Sequence, residues 1–186
     1  MSLRRGFKAE TNRISLRLRT SLGLAAHAPI NLTALANNLG IQLVTLSSFK
    51  DECPEPVQHL TRKEPSAFSA ATLPLPNGRH VIVFNDSHSK ARSRSNIAHE
   101  IAHIVLGHEF ALPIDNTGTR LIDRDVEDEA NWLGPAILIS DEAALHILRS
   151  VLSTETACAQ YGVTAAVLRM RINASGARVR LQRSHH

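Results

Sequence analysis

The sequence predicts an α+β fold in which a small antiparallel or mixed sheet accompanies a larger number of helices. Apolar residues recur at helical spacing along much of the chain, as at Ile14, Leu18 and Leu22. Three short segments rich in apolar and β-branched residues lie between turn residues and predict strands at 41–46, 67–73 and 79–85. With 186 residues, 43% of them hydrophobic, the chain can form one domain with a proper core.

Capping and turn residues place the remaining boundaries. Asn31 is typical of a helix N-cap and Gly40 of a helix end, whereas three prolines between 50 and 65 favour a loop. In chain order the prediction is a helix over 9–26, a helix from Asn31 to Gly40, the first strand, a loop over 50–65, two strands joined by a turn at 74–78, a helix from about Ser93, a connection over 109–122, a helix over 124–134 that ends or kinks near Pro135, and a helix from Asp141.

The chain divides into three predicted parts. Residues 1–150 form the main domain, 151–175 a C-terminal helical element with helix–turn–helix spacing around Gly162, and 176–186 a basic tail. Ala165, Ala166 and Val167 stand where a DNA-reading helix would carry polar side chains. We therefore expect this element to pack on the main domain.

The segment His99-Glu100-Ile101-Ala102-His103 carries the strongest chemical signal. On a helix, His99 and His103 lie on one face and can bind one Zn²⁺, while Glu100 reaches the edge of that site as a general base. The surrounding run is apolar, so this helix is largely buried. The alternative is a pair of core histidines bonded to backbone.

A third ligand is expected from a second helix. Glu127 and Asn131 are four residues apart on such a helix, so Glu127 is the predicted ligand and Asn131 a group that orients a ligand imidazole. Glu129 is the alternative ligand. An ordinary acidic helix start is the structural alternative, because Asp123, Asp125 and Asp128 suit the helix dipole.

With these motifs in order, the chain resembles the ImmA/IrrE family of zinc-dependent metallo-endopeptidases. It is therefore expected to be zincin-like, with a small antiparallel or mixed sheet, an active-site HExxH helix and a helical C-terminal part. The segments that carry the resemblance are 29–41, 80–85, 96–103 and 127–139. Two departures concern the second helix. Leu133-Gly134 stands where the family usually has Phe-Ala, and Ser140 replaces a customary proline.

The resemblance implies a protease that cuts a helix–turn–helix repressor and so releases stress-response or mobile-element genes. We expect the strand before the active helix to hold substrate as an added strand, with Val81, Val83 and Asn85 as substrate-binding residues. Two alternatives stay open: a non-catalytic zinc-containing module that binds such a repressor, and a DNA-binding protein. Tyr161 and His146 are candidate oxyanion stabilisers by chemistry only.

Composition limits the environment and partners. No apolar run is long enough for a membrane span, and the N-terminal residues lack the apolar stretch of a secretory signal. Cys53 and Cys158 are far apart, and two lone thiols fit a reducing cytosol, so a cytoplasmic protein is expected. The net charge is +4, with arginines clustered near both ends. These arginines are expected on solvated faces, so direct binding of nucleic acid is not favoured.

Overall fold

Nine α-helices and a three-stranded sheet form the parts of the chain that the computed structural model describes, residues 3–109 and 123–184. This confirms the predicted α+β class. The elements are α1 (Phe7–Ser21), α2 (Leu32–Asn38), β1 (Ile41–Thr45), α3 (Pro54–Gln58), β2 (Ala70–Pro74), β3 (His80–Phe84), α4 (Lys90–Leu106), α5 (Arg124–Leu138), α6 (Asp141–Arg149), α7 (Thr154–Tyr161), α8 (Ala165–Ala174) and α9 (Ala177–Arg183).

The sheet is mixed, with the strand order β1-β3-β2. β3 pairs in parallel with β1 and antiparallel with β2, so it is the central strand. Ile82 of β3 is fully buried, as is Ile41 of β1, and both belong to the same hydrophobic core as α4. The inner face of the sheet therefore supports the helix that carries the HExxH segment.

The loop predicted over 50–65 contains regular structure. Pro54 occupies the first turn of α3, where its missing N–H has no helical acceptor in any case, and a π-turn follows over His59–Lys63. The prolines thus start a helix instead of preventing one. The connection predicted over 109–122 lies outside the described residues, except for its first position.

α4 and α5 pack against each other through apolar faces. Ser89 caps α4 by accepting a hydrogen bond from the backbone of Arg92, and the helix ends at Gly107, whose φ of 69° is the left-handed conformation that glycine adopts without strain. The buried residues of the two faces are Ile97, Ala98, Ile101, Ala102, Ala130, Leu133, Gly134 and Ile137. This contact holds the two predicted ligand segments side by side.

An end of α5 near Pro135 was one of the two predicted outcomes, and it is wrong, because the helix continues to Leu138. Pro135 removes only the helical hydrogen bond to the carbonyl of Asn131, and groups from α1 satisfy the carbonyls of the last turn, which have no donor within the helix. Ser15 Oγ donates to the carbonyl of Ala136 at 2.6 Å, and Arg19 Nη2 donates to that of Ile137 at 3.0 Å. Tertiary hydrogen bonds therefore stabilise the helix beyond the proline.

Arg19 and Arg171 depart from the expectation that the terminal arginines lie on solvated faces. Arg19 is fully buried, and Arg171 is 2% exposed. Arg171 donates to the carbonyl of Ile139 and forms an ion pair with Asp141 at 2.6 Å. These two cations stabilise the core, and they are not available to bind a nucleic acid.

The C-terminal helices join the main core through Leu168 of α8 and Ala177 of α9. The residues predicted as a basic tail include the helix α9. This helix packs on the protein, since Ala177 is buried and Arg180 pairs with Glu142 of α6. The boundaries of the three predicted parts stay a prediction. Within the described ranges, no helix is both long and apolar enough to cross a bilayer.

Candidate metal centre

His99, His103 and Glu127 come together at the contact between α4 and α5. The Nε2 atoms of the two histidines are 3.1 Å apart. Glu127 places one carboxylate oxygen 3.4 Å from His99 Nε2 and the other 3.6 Å from His103 Nε2. His103 is buried, whereas His99 and Glu127 are partly exposed. One ring nitrogen from each histidine and one carboxylate therefore converge at a site open on one side.

These separations fit a tetrahedral metal ion. Zinc ligands about 2.0–2.1 Å from the ion and at tetrahedral angles lie about 3.3 Å from one another. The three ligand atoms of His99, His103 and Glu127 all lie within 4.8 Å of one another. Two imidazoles with one carboxylate form a donor set that zinc accepts, and within residues 3–109 and 123–184 this group has three members, which leaves a fourth position for water or substrate. The residues present therefore fit a divalent metal ion, and zinc is among the ions that this donor set suits.

Glu100 lies beside the ligands on α4, half-buried, and contacts the sheet. Its carboxylate accepts a hydrogen bond from Thr72 Oγ1 of β2 at 2.7 Å. Thr72 is the middle residue of β2, so the hydroxyl is supplied by a strand and not by a loop. This contact holds the carboxylate predicted to act as general base between α4 and β2.

The second nitrogen of His103 contacts a residue that the sequence analysis did not select. His103 Nδ1 lies 2.9 Å from Nδ1 of His108, and His108 Nε2 lies 3.3 Å from Glu129. Asn131 is exposed on α5. The orienting contact predicted for Asn131 is thus made by His108 at His103, and any such role of Asn131 at His99 stays a prediction. Glu129, the alternative ligand, pairs with His108.

The structure argues against the added strand that was expected at β3, and a substrate-binding role of Val81, Val83 and Asn85 stays a prediction. β3 is the central strand, and both of its edges pair with neighbouring strands, so no substrate strand can be added to it. Asn85 is fully buried and donates from Nδ2 to the carbonyls of Leu60 and Phe68. Its amide fixes the segment before β2, which is a structural role.

Tyr161 and His146, the two oxyanion candidates, belong to a different cluster. Tyr161 is 1% exposed and donates its hydroxyl to the carbonyl of His27 at 2.8 Å. The ring of His146 stacks on that of His27, with centroids 4.4 Å apart. These contacts join α6 and α7 to the turn after α1, and they give both residues a structural function.

Thr72 and His108 are the site residues that sequence reasoning missed. Thr72 carries no motif, and only the pairing of β2 with β3 brings it to Glu100. His108 directly follows Gly107, a helix-ending glycine, at a position that folds back on the last turn. That signal was available, because a histidine just after such a glycine must lie near the residues one turn earlier.

A helix that carries HExxH, a second helix that places a glutamate beside it and a sheet that contacts Glu100 form the arrangement expected for a metallopeptidase. Residues 39–173 match the model of a peptidase family described as the IrrE N-terminal-like domain, and the chain belongs to this family. The match includes the HExxH segment and Glu127, and it confirms the ImmA/IrrE resemblance. No curated protein matches the chain at a significant level.

Proposed function

We propose that the protein is a zinc-dependent metallo-endopeptidase. The observation that carries the proposal is the convergence of His99, His103 and Glu127, with ligand atoms within 4.8 Å of one another, beside the carboxylate of Glu100. The family to which the chain belongs supports the same activity. A structural zinc site would close its fourth position with another protein ligand, whereas this three-residue set leaves room for a reacting group.

In this mechanism a zinc ion, when bound, supplies a Lewis acid that polarises the scissile carbonyl and activates water. Glu100 accepts the proton that water loses as its oxygen bonds to the carbonyl carbon. The same carboxyl then delivers that proton to the departing amine nitrogen as the C–N bond breaks. Thr72 holds one oxygen of Glu100, which keeps the carboxylate aimed at one place during both transfers.

The substrate is proposed to bind as an extended strand along β2. Among the described residues, β2 has a paired neighbour on one side only. Leu75 N donates to Arg79 O and Asn85 N donates to Ser69 O, which fixes the odd-numbered residues of β2 as those bonded to β3. The even-numbered residues, Ala70 and Thr72, therefore present their N–H and C=O groups to the other side.

Pro74 limits this edge. It is the last residue of β2, it would point the same way as Thr72, and it has no N–H to donate. An added strand would thus form its ladder with Ala70 and Thr72, next to the base that Thr72 holds. Such pairing would recognise the substrate through its main-chain hydrogen bonds and would accept different substrate side chains, as expected for an enzyme that cuts extended segments.

Incubation with a proteome-derived peptide library, followed by mass spectrometry, tests the activity. The zinc-loaded parent is expected to produce internal cleavages, and Glu100→Gln is expected to lose at least about 100-fold in rate while it keeps its zinc. Equal cleavage by both proteins would assign the cuts to a contaminant. A zinc-loaded parent that cuts no peptide would contradict the proposal and favour a binding module.

The proposed natural substrate is a helix–turn–helix repressor, and this part is supported by family membership alone. A panel of purified helix–turn–helix repressors from the source genome, incubated with the parent and with Glu100→Gln, provides the test. Cleavage of one repressor by the parent only would support it. Cleavage of library peptides without cleavage of any repressor would leave the peptidase and remove this substrate class.

A further inference from the structure

A hydrogen-bonded series of four side chains leads from the metal centre to the N-terminal segment. It starts at His103, whose Nδ1 lies 2.9 Å from Nδ1 of His108. His108 Nε2 lies 3.3 Å from Glu129 Oε2, and the other oxygen of Glu129 accepts a hydrogen bond from Arg4 Nε at 2.7 Å. Three separate parts of the chain thus meet behind one ligand.

The end of α4 determines the position of His108. The backbone N–H of His108 donates to the carbonyl of His103 at 3.1 Å, and that of Gly107 donates to the carbonyl of Ile104 at 3.1 Å. This is the Schellman arrangement, in which the glycine takes a left-handed conformation and the next residue folds back on the last turn. His108 is therefore bound to His103 through both its backbone and its ring.

The ring protons of the two histidines can be placed so that each side chain of the series donates to or accepts from the next without conflict. A histidine that binds metal through Nε2 must carry its proton on Nδ1, so His103 donates to His108 Nδ1. His108 then carries its proton on Nε2 and donates it to Glu129. The carboxylate of Glu129 only accepts, and Arg4 only donates, so both ends of the series agree with this direction.

The two middle side chains of the series are largely shielded from solvent. The side chains of His108 and Glu129 are 9% and 18% exposed, so water competes little for their hydrogen bonds. Arg4 is half-exposed and also pairs with Glu10 at 2.7 Å. His108 and Glu129 therefore form the part of the series that is shielded from water, and Arg4 forms its outer end.

We propose that His108 and Glu129 are positioning residues that fix the tautomer and orientation of His103 for metal binding, and that Arg4 holds Glu129 in place. This inference rests on the metal site of the proposed function. It assigns to an imidazole and a carboxylate in series the task that a single carboxylate or carbonyl performs behind many metal-binding histidines. It also gives the N-terminal segment, which precedes the matched residues 39–173, a part in the metal centre.

The test is the zinc dissociation constant, measured by competition with a chromophoric chelator. We expect Glu129→Ala and His108→Leu to bind zinc about 10–100-fold more weakly than the parent. Glu129→Gln keeps an acceptor for His108 without the charge, so its affinity is expected to fall between those of the parent and Glu129→Ala. Arg4→Ala is expected to weaken binding less than Glu129→Ala does.

Glu10→Gln is the matched control. Glu10 pairs with the same arginine as Glu129 but does not contact His108, so its substitution is expected to leave the zinc affinity unchanged. Thermal unfolding of the metal-free variants accompanies each measurement. The absorption spectrum of the Co²⁺-loaded proteins adds a readout of ligand geometry, which is expected to change in His108→Leu and not in Glu10→Gln.

The outcomes separate this inference from the proposed function. A parent that binds zinc tightly, with His108→Leu and Glu129→Gln within twofold of it, would overturn the positioning role and leave the metal site in place. A parent that binds no zinc would overturn both. Loss of affinity in Glu10→Gln equal to that in Glu129→Gln would also overturn the positioning role, because the effect would then follow the charge around Arg4.

Discussion

Gly134 of α5 lies directly against the backbone of His99 on α4. A Cβ atom on Gly134 would lie 3.1 Å from both Cα and N of His99, closer than such contacts normally are. The two helices therefore approach each other closely at the turn that carries His99. This contact gives a physical reason for a glycine at position 134.

Gly134→Ala is expected to weaken zinc binding several-fold and to lower the free energy of unfolding by about 1–3 kcal/mol, because overpacking a helix contact forces backbone shifts. The better helix propensity of alanine offsets part of this loss. Chelator competition and urea unfolding measure the two effects, with Arg124→Ala, an exposed change on the same helix, as control. A variant as stable and as tight-binding as the parent would show that the helices have room to spare.

Thr72→Val removes the hydroxyl that holds Glu100 but keeps the side-chain shape. The loss of one such hydrogen bond is worth about 1.4 kcal/mol, so kcat is expected to fall about tenfold. Zinc affinity should not change, because this hydrogen bond joins Thr72 to Glu100, which is not one of the three predicted ligands. Thr72→Ser retains the hydroxyl and should retain most of the activity. Equal rates for the valine and serine variants would argue against the positioning of Glu100 by Thr72.

Arg19→Met is expected to cost more than about 3 kcal/mol of unfolding free energy. Arg19 is fully buried, and its removal leaves the carbonyls of Ala28, Ile137 and Leu138 without this donor. Desolvation lowers the pKa of its guanidinium to about 10, which still leaves it charged near neutrality. Arg17→Met, on the exposed side of the same helix, is the control. Comparable urea midpoints for the two variants would contradict the assigned role.

Tyr161 provides a pH-dependent test, because it is the single tyrosine of the chain. Burial raises the pKa of its phenol above the ordinary value of 10. A pKa that is higher in the folded than in the unfolded state gives a stabilisation that is full below about pH 10 and is lost as the pH rises through the folded pKa. Phenolate absorbance should therefore appear above pH 10 and together with unfolding.

Tyr161→Phe, in comparison, should remove this component of alkaline unfolding. It should also lower stability at neutral pH by about 1 kcal/mol, because the carbonyl of His27 loses its donor. Ionisation of Tyr161 at pH 10 in a protein that stays folded would contradict the burial of its hydroxyl.

The sequence predicted the residues that share a short spacing and missed those that depend on tertiary pairing. His99 and His103 are one helical turn apart, so their convergence follows from helix geometry. Glu127 could be selected because a second helix had to supply a ligand, and the structure brings it to both histidines. Thr72, in contrast, reaches Glu100 only through strand pairing.

The errors have the same origin. β3 was expected to accept a substrate strand because it precedes the active helix, but strand order is not written in local sequence, and β3 is central. An end of α5 near Pro135 was one of two expected outcomes, yet hydrogen bonds from Ser15 and Arg19, more than 100 residues away, stabilise the turn that follows the proline. In both places long-range contacts override the local preference.

The zinc content of the purified protein tests the central claim most directly. We expect one equivalent in the parent and in Glu100→Gln, and none that survives dialysis in Glu127→Ala, because Glu127 supplies one of three ligands and Glu100 supplies none. Absence of zinc from the parent after zinc is added, or full retention of zinc by Glu127→Ala, would contradict a catalytic centre built from His99, His103 and Glu127.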